Sequence, residues 1–104
     1  MKITQNGSRI TVTTVGDFDL HICPELKALL EEDIATEHIS HICFDLQKTD
    51  FIDSSGLGLI LWIYKQIAPE GGKVTVINAS PAAEKIFEIA DLTRFLRGKA
   101  TGRE

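Results

Sequence analysis

FIDSSGLGLILWIYKQIA, residues 51–68, sets one aspartate, two serines and a glycine directly before an apolar run. Ser and Asp are favoured at helix starts because their side chains accept hydrogen bonds from the first unpaired amides. The stretch therefore predicts a helix opening at Asp53-Ser54-Ser55-Gly56 and stopped by Pro69 and the Gly71-Gly72 pair. At about 100° per residue, Leu57, Ile60, Leu61, Tyr64, Ile67 and Ala68 share one arc, the expected core face. The opposite arc carries Gly58, Leu59, Trp62, Lys65 and Gln66, with Ile63 at its flank. On a helix that covers a sheet, that arc faces water. Leu59 and Trp62 would then form an apolar patch beside Ser55, and such patches mark docking surfaces unless another helix covers them. One helix end cannot use three capping groups. Gly56 and Gly58 also leave the neighbourhood bare, so that the Ser55 hydroxyl is open to approach.

Outward from this helix, strand and helix patterns alternate. Asn6-Gly7, the dipeptide of tight hairpin turns, separates KITQ from RITVTTV, and residues 8–15 alternate as a strand. Gly16-Asp17-Phe18-Asp19 breaks that alternation. Pro24 suits a helix first turn, and Leu26, Leu29, Leu30 and Ile34 follow at helical spacing. HICFDL (41–46) and KVTVIN (73–78) have strand length, with QKTDFID (47–53) read as a connection. Ser80-Pro81 opens a third helix with Ala82, Ile86, Ile89 and Ala90 spaced for burial, and LTRFLRG (92–98) reads as a closing turn. The order is hairpin, helix, strand, helix, strand, helix. It predicts an α/β domain with right-handed crossovers: a mixed sheet of four to five strands with helices packed against it. One domain is expected over 1–104, its core over about 1–97 and a flexible tail at 98–104.

Composition narrows the function classes. The chain has 104 residues, 43% of them hydrophobic, and a net charge of -4 with no basic cluster before its last few residues. No nucleic-acid surface is expected from that balance. The longest uncharged apolar run, Leu57 to Tyr64, falls far short of the roughly 20 residues that span a bilayer, so no membrane insertion is expected. MKITQNGSRI lacks an apolar signal core, and two cysteines do not make a disulfide framework. A cytoplasmic location is expected. No Walker-type glycine loop is present, and no cofactor is expected.

FIDSSGLGLIL resembles the phosphorylation segment of anti-sigma factor antagonists in the STAS (sulfate transporter and anti-sigma antagonist) domain family. GDFDLHICPELKALL, FDLQKTDFIDSSGLG and GGKVTVINASPAAEKIFEIADLTRFL resemble other segments of that family, so the likeness runs nearly end to end. The resemblance implies a mixed sheet with packed helices. It also implies that Ser55, the second serine of the pair, accepts phosphate, and that Asp19 is the family's turn aspartate. It implies that the unphosphorylated protein binds an anti-sigma factor or related serine kinase, and that a phosphatase resets it. Asp19, Asp53, Ser54, Gly56, Leu59 and Trp62 would then form the switch and partner-binding surface around Ser55. A phosphate there would meet free amides and the positive end of the helix dipole. His21-Ile22-Cys23, where small or polar residues are common, and Trp62 depart from the family pattern. The protein would be a monomer or weak homodimer, since Leu59 and Trp62 could also pair two copies.

Three other readings use the same residues. Ser55 could be a nucleophile with His21 or His41 as base, but Asp-Ser-Ser-Gly is not the Gly-x-Ser-x-Gly elbow, and the expectation is a kinase substrate, not an enzyme. The repeated triplets His21-Ile22-Cys23 and His41-Ile42-Cys43 suggest metal ligands if each pair shares a strand face; buried cysteines with ordinary histidines are the simpler account. A STAS scaffold subunit of a larger signalling or lipid-transport assembly would keep the serines as caps without a phosphate switch.

Overall fold

In a computed structural model of the chain, which describes residues 1–98, four strands form one sheet in the order β1-β2-β3-β4. The strands are β1 (Lys2–Asn6), β2 (Arg9–Phe18), β3 (His41–Ile52) and β4 (Lys73–Ile77). The β1–β2 pair is antiparallel, and β3 pairs in parallel with β2 on one side and β4 on the other. Three helices connect or follow the strands: α1 (Cys23–Thr36), α2 (Ser54–Ile67) and α3 (Pro81–Ile89). Short 3-10 turns cover Ala68–Glu70 and Thr93–Phe95. The sheet is mixed and has four strands, within the expected range. The tail expectation falls mostly on residues 99–104, outside the described residues.

The hairpin forms where Asn6-Gly7 placed it, with Gly7 in the left-handed region at φ 64°, a conformation glycine adopts without steric cost. Alternate residues Ile10 and Val12 of β2, Ile42, Phe44 and Leu46 of β3, and Val74 and Val76 of β4 point into one core. Buried residues of all three helices join the same cluster, including Leu26, Leu30, Ile60, Ile63 and Phe87, so the helices cover one face of the sheet. The other face carries Arg9, Thr11, Thr13, His41, Cys43, Asp45, Lys73, Thr75 and Ile77 in strand alternation.

Two expectations need correction. QKTDFI is not a connection: β3 continues to Ile52, because β2 also runs on through Gly16 to Phe18 and supplies ladder partners. Register shifts between Thr13 and Val15 and between Gly16 and Asp17 absorb the break that the glycine signalled, with Gly16 at φ 76°. Inside this irregular stretch the buried hydroxyls of Thr14 and Thr49 bond each other, and Thr49 Oγ1 donates to the Thr14 carbonyl at 3.0 Å.

The helix faces are also rotated from their sequence reading. On α2 the buried residues are Gly56, Leu59, Ile60, Ile63 and Ile67, a core arc turned by roughly 80° from the one expected. Leu57, Leu61 and Tyr64 are only half-buried. The physical reason is lateral cover. The ring of Tyr64 meets Phe95 of the last 3-10 turn edge-on at 5.2 Å, so that flank packs beside the sheet, not against it. On α1, Leu26 and Leu30 are buried as expected but Leu29 is exposed; on α3, Ala83 and Phe87 are buried, while Ala82, Ile89 and Ala90 are exposed.

Candidate functional site

The site begins with the cap of α2. Asp53 is its N-cap in extended backbone, and its Oδ1 accepts from the amides of Ser55 at 2.9 Å and Gly56 at 3.1 Å. One carboxylate therefore does the capping, and neither serine hydroxyl takes part. Among the described residues the Ser54 and Ser55 hydroxyls have no hydrogen-bond partner, and neither is sealed from solvent. Ser54 is exposed and Ser55 half-buried.

Gly56 holds the helix end against the strands. A Cβ at this position would stand 2.7 Å from both Ile52 Cγ1 and the Phe18 carbonyl oxygen. That carbonyl accepts from the Asp53 amide at 3.3 Å, which links the end of β2 to the start of α2. Gly56 is thus a packing residue, not one that bares the serine. Gly58 fits that second description, with nothing within 4 Å of an added Cβ.

Beside Ser55 lies a recess of about 480 Å³ between α1 and α2, lined by Leu20, Cys23, Pro24, Lys27, Ser55, Gly58, Leu59 and Trp62. Leu59 is only 5% exposed, so it is no exposed docking group; it belongs to the core and floors the recess. Its place in the expected patch is corrected for the reason given above, the rotation of α2. Trp62 does reach the surface as a half-buried wall, with Lys27 Nζ 4.6 Å from its ring centroid. The α1 side of the site, Leu20, Cys23, Pro24 and Lys27, has no signal in the α2 sequence. It depends on how two helices approach in space. Leu20, 66% exposed, is the large apolar group at the rim.

Asp19 sits in the turn before α1. Its Oδ1 accepts from the His21 amide at 2.9 Å, its Oδ2 lies 3.3 Å from His21 Nδ1, and its carbonyl accepts from the amides of Ile22 and Cys23. The His21 amide bond holds its carboxyl below the usual aspartate value. These contacts make Asp19 a turn-forming residue, and the structure places no bond between it and Ser55. Burial, then the charges of Asp53 and Asp19, push the Cys23 thiol up to about 11.

The fold separates the two His-Ile-Cys triplets, one at the start of α1 and the other on β3. His21 belongs to the turn with Asp19, while His41 lies on the sheet face opposite the helices. Cys23 opens a helix, so His21 and Cys23 do not share a strand face, and no cluster of three metal-ligating side chains occurs among the described residues.

The STAS domain family model matches residues 1–104, the whole chain. The chain belongs to the STAS domain family. An anti-sigma F factor antagonist of Paenibacillus polymyxa is 30% identical over 87 residues, 84% of this chain and 74% of that protein. An anti-sigma-B factor antagonist of Bacillus subtilis (strain 168) is 28% identical over 90 residues, covering 86% and 81% of the two chains. The unphosphorylated form of the anti-sigma factor antagonist SpoIIAA superposes with a TM-score of 0.90 at 21% identity, covering 95% of this chain and 87% of that one. The phosphorylated form of SpoIIAA gives 0.81 over 95% and 90%. These likenesses concern the fold, a STAS fold of four mixed strands and three helices.

Proposed function

We propose that this STAS protein is an anti-sigma factor antagonist. In its unphosphorylated form it binds an anti-sigma factor with serine kinase activity, and phosphate on Ser55 releases it. The observation that carries the reading is the Ser55 hydroxyl. It has no hydrogen-bond partner among the described residues and is reachable at the rim of the α1–α2 recess, on a helix end that Asp53 already caps.

A phosphate would add about -1.5 to -2 charges at neutral pH. The dipole of α2 favours it by about 0.3–1 kcal/mol. The amides of Ser55 and Gly56 are already taken by Asp53, which corrects the expectation of free amides waiting for the phosphate. Asp53, bonded to the Ser55 amide, opposes the new charge, and Lys27 is the cation lining the recess. These opposing terms leave the monomer's stability nearly unchanged. In a complex the balance differs. A partner seated on the recess would bury the dianion beside Leu20 and Trp62, at a cost of several kcal/mol without an answering cation. Each 1.4 kcal/mol is tenfold in affinity.

On this reading the chain is a substrate of a kinase and a phosphatase in the cytoplasm, not a catalyst. The test is incubation with the partner kinase and ATP, followed by mapping of the phosphate by tandem mass spectrometry. Incorporation at Ser55, abolished in Ser55→Ala, is expected. Modification at Ser54 alone, or none in a complex that does form, refutes the assignment.

A further inference from the structure

At the other end of the strands, on the face that the helices leave uncovered, Arg9 of β2, His41 of β3 and Lys73 of β4 stand directly abreast. Arg97 completes this row beside the β4 edge. Its amide donates to the Val76 carbonyl at 2.8 Å, and its Nη1 donates to the carbonyls of Arg94 and Leu96, each at 2.8 Å. These groups, with Thr75 and Ile77, line a recess of about 210 Å³.

Two features distinguish the recess from an ordinary solvated surface. Like charges on adjacent strands repel, and a fold gains nothing from collecting them. Yet this chain of net charge -4 collects three permanent cations here, and among the described residues none forms an ion pair with a carboxylate. The second feature is preorganisation. The Arg97 guanidinium is held by two Nη1 bonds to backbone carbonyls, and the His41 ring is fixed by a 2.8 Å bond between Nε2 and Thr75 Oγ1. Fixed donors around a concavity lose little freedom when an anion arrives.

We propose that the Arg9–His41–Lys73 row, closed by Arg97, is a binding site for a phosphate-class oxyanion. The Thr75 hydroxyl supplies a neutral hydrogen-bonding group in the same recess, and guanidinium groups match the geometry of phosphate oxygens. The site lies on the opposite face of the sheet from Ser55 and does not depend on phosphorylation there. Burial, with the charges of Arg9, Lys73 and Arg97, holds the His41 imidazole down to about 4, so it is neutral at pH 7 while the recess is empty of anion. A bound dianion offsets those cations and draws the imidazole back up.

The experiment is a titration of the full ¹⁵N-labelled chain with inorganic phosphate at constant ionic strength, followed by amide and imidazole resonances. A second arm uses glycerol 3-phosphate to separate a free ion from an esterified ligand. Saturable shifts at Arg9, His41, Lys73, Thr75 and Arg97 are expected, with a Kd on the order of 1 mM or below. The His41 pKa should rise as phosphate is added. The R9Q/K73Q double variant should bind at least tenfold more weakly, with resonances around Ser55 unchanged; Arg97→Gln is an independent second variant. Tighter binding of the ester identifies an esterified ligand, and tighter binding of phosphate a free ion; both support the site. Shifts that chloride reproduces at equal ionic strength, or affinities unchanged in both variants, overturn it.

Discussion

Replacing Gly56 by alanine tests how the helix end that carries Ser55 is held. The added Cβ would sit 2.7 Å from the Phe18 carbonyl oxygen and from Ile52 Cγ1, and 3.1 Å from Phe18 Cδ1. Real Cβ contacts essentially never fall below 3.0 Å. The Ile52 and Phe18 side chains are fully buried or nearly so, at 1% and 0% exposure, and the Phe18 carbonyl is part of the backbone. The start of α2 must therefore move outward. Overpacking of this kind costs about 1–3 kcal/mol. Alanine's better helix propensity returns up to about 1 kcal/mol, less in a first turn. A net loss of about 1–2 kcal/mol follows, or a Tm lower by roughly 5–15 °C for a domain of this size. Gly58→Ala is the matched control. Its Cβ meets nothing within 4 Å, it lies inside α2, and it should stabilise by about 0.5–1 kcal/mol. Urea and thermal unfolding of both variants read the difference. If Gly56→Ala is neutral or stabilising, the close docking of α2 on Phe18 and Ile52 is refuted.

Asp53→Ala removes the α2 cap and should cost about 1 kcal/mol in urea unfolding. It also releases the Ser55 and Gly56 amides, so a phosphate on Ser55 should stabilise this variant more than the parent. Leu59→Ala and Trp62→Ala should separate core from surface: about 2–5 kcal/mol of stability lost for buried Leu59, against a smaller stability loss with weakened partner binding for Trp62. His41 should make stability fall on acidification. Its folded pKa of about 4 lies below the unfolded value of 6.5, so the unfolded chain takes up the proton first. That contribution is whole above pH 6.5, is lost as pH falls toward 4, and is flat below. His41→Gln should lessen the drop in stability between pH 7 and pH 5, read by urea unfolding.

Local signals carried far in this chain. Asn6-Gly7 made its hairpin, Ser80 caps α3 by accepting from the Ala83 amide at 3.1 Å, and Pro24 lies in the first turn of α1. These features depend on backbone chemistry within a few residues. The length of β3 was not legible, because strand pairing with an irregular β2 decides it and Gly16 reads locally as a stop. The phase of α2 failed for a similar reason. A helical wheel locates the most apolar arc, whereas α2 touches the sheet, α1 and the Phe95 turn at once, so apolar residues circle most of it. The Asp53 cap was legible from capping chemistry, which depends only on the next few residues. Leu20 and Lys27 were not, since only the approach of α1 to α2 brings them to the recess.

Charge on Ser55 should leave the monomer intact and prevent association. Calorimetric titration of the anti-sigma factor kinase into unmodified and Ser55-phosphorylated protein, with thermal melts of both forms, tests it most directly. Melting temperatures within about 4 °C of each other are expected, with an affinity at least a hundredfold weaker after phosphorylation, the effect of about 3 kcal/mol. Equal affinity of the two forms, or loss of the folded state on phosphorylation, would contradict it.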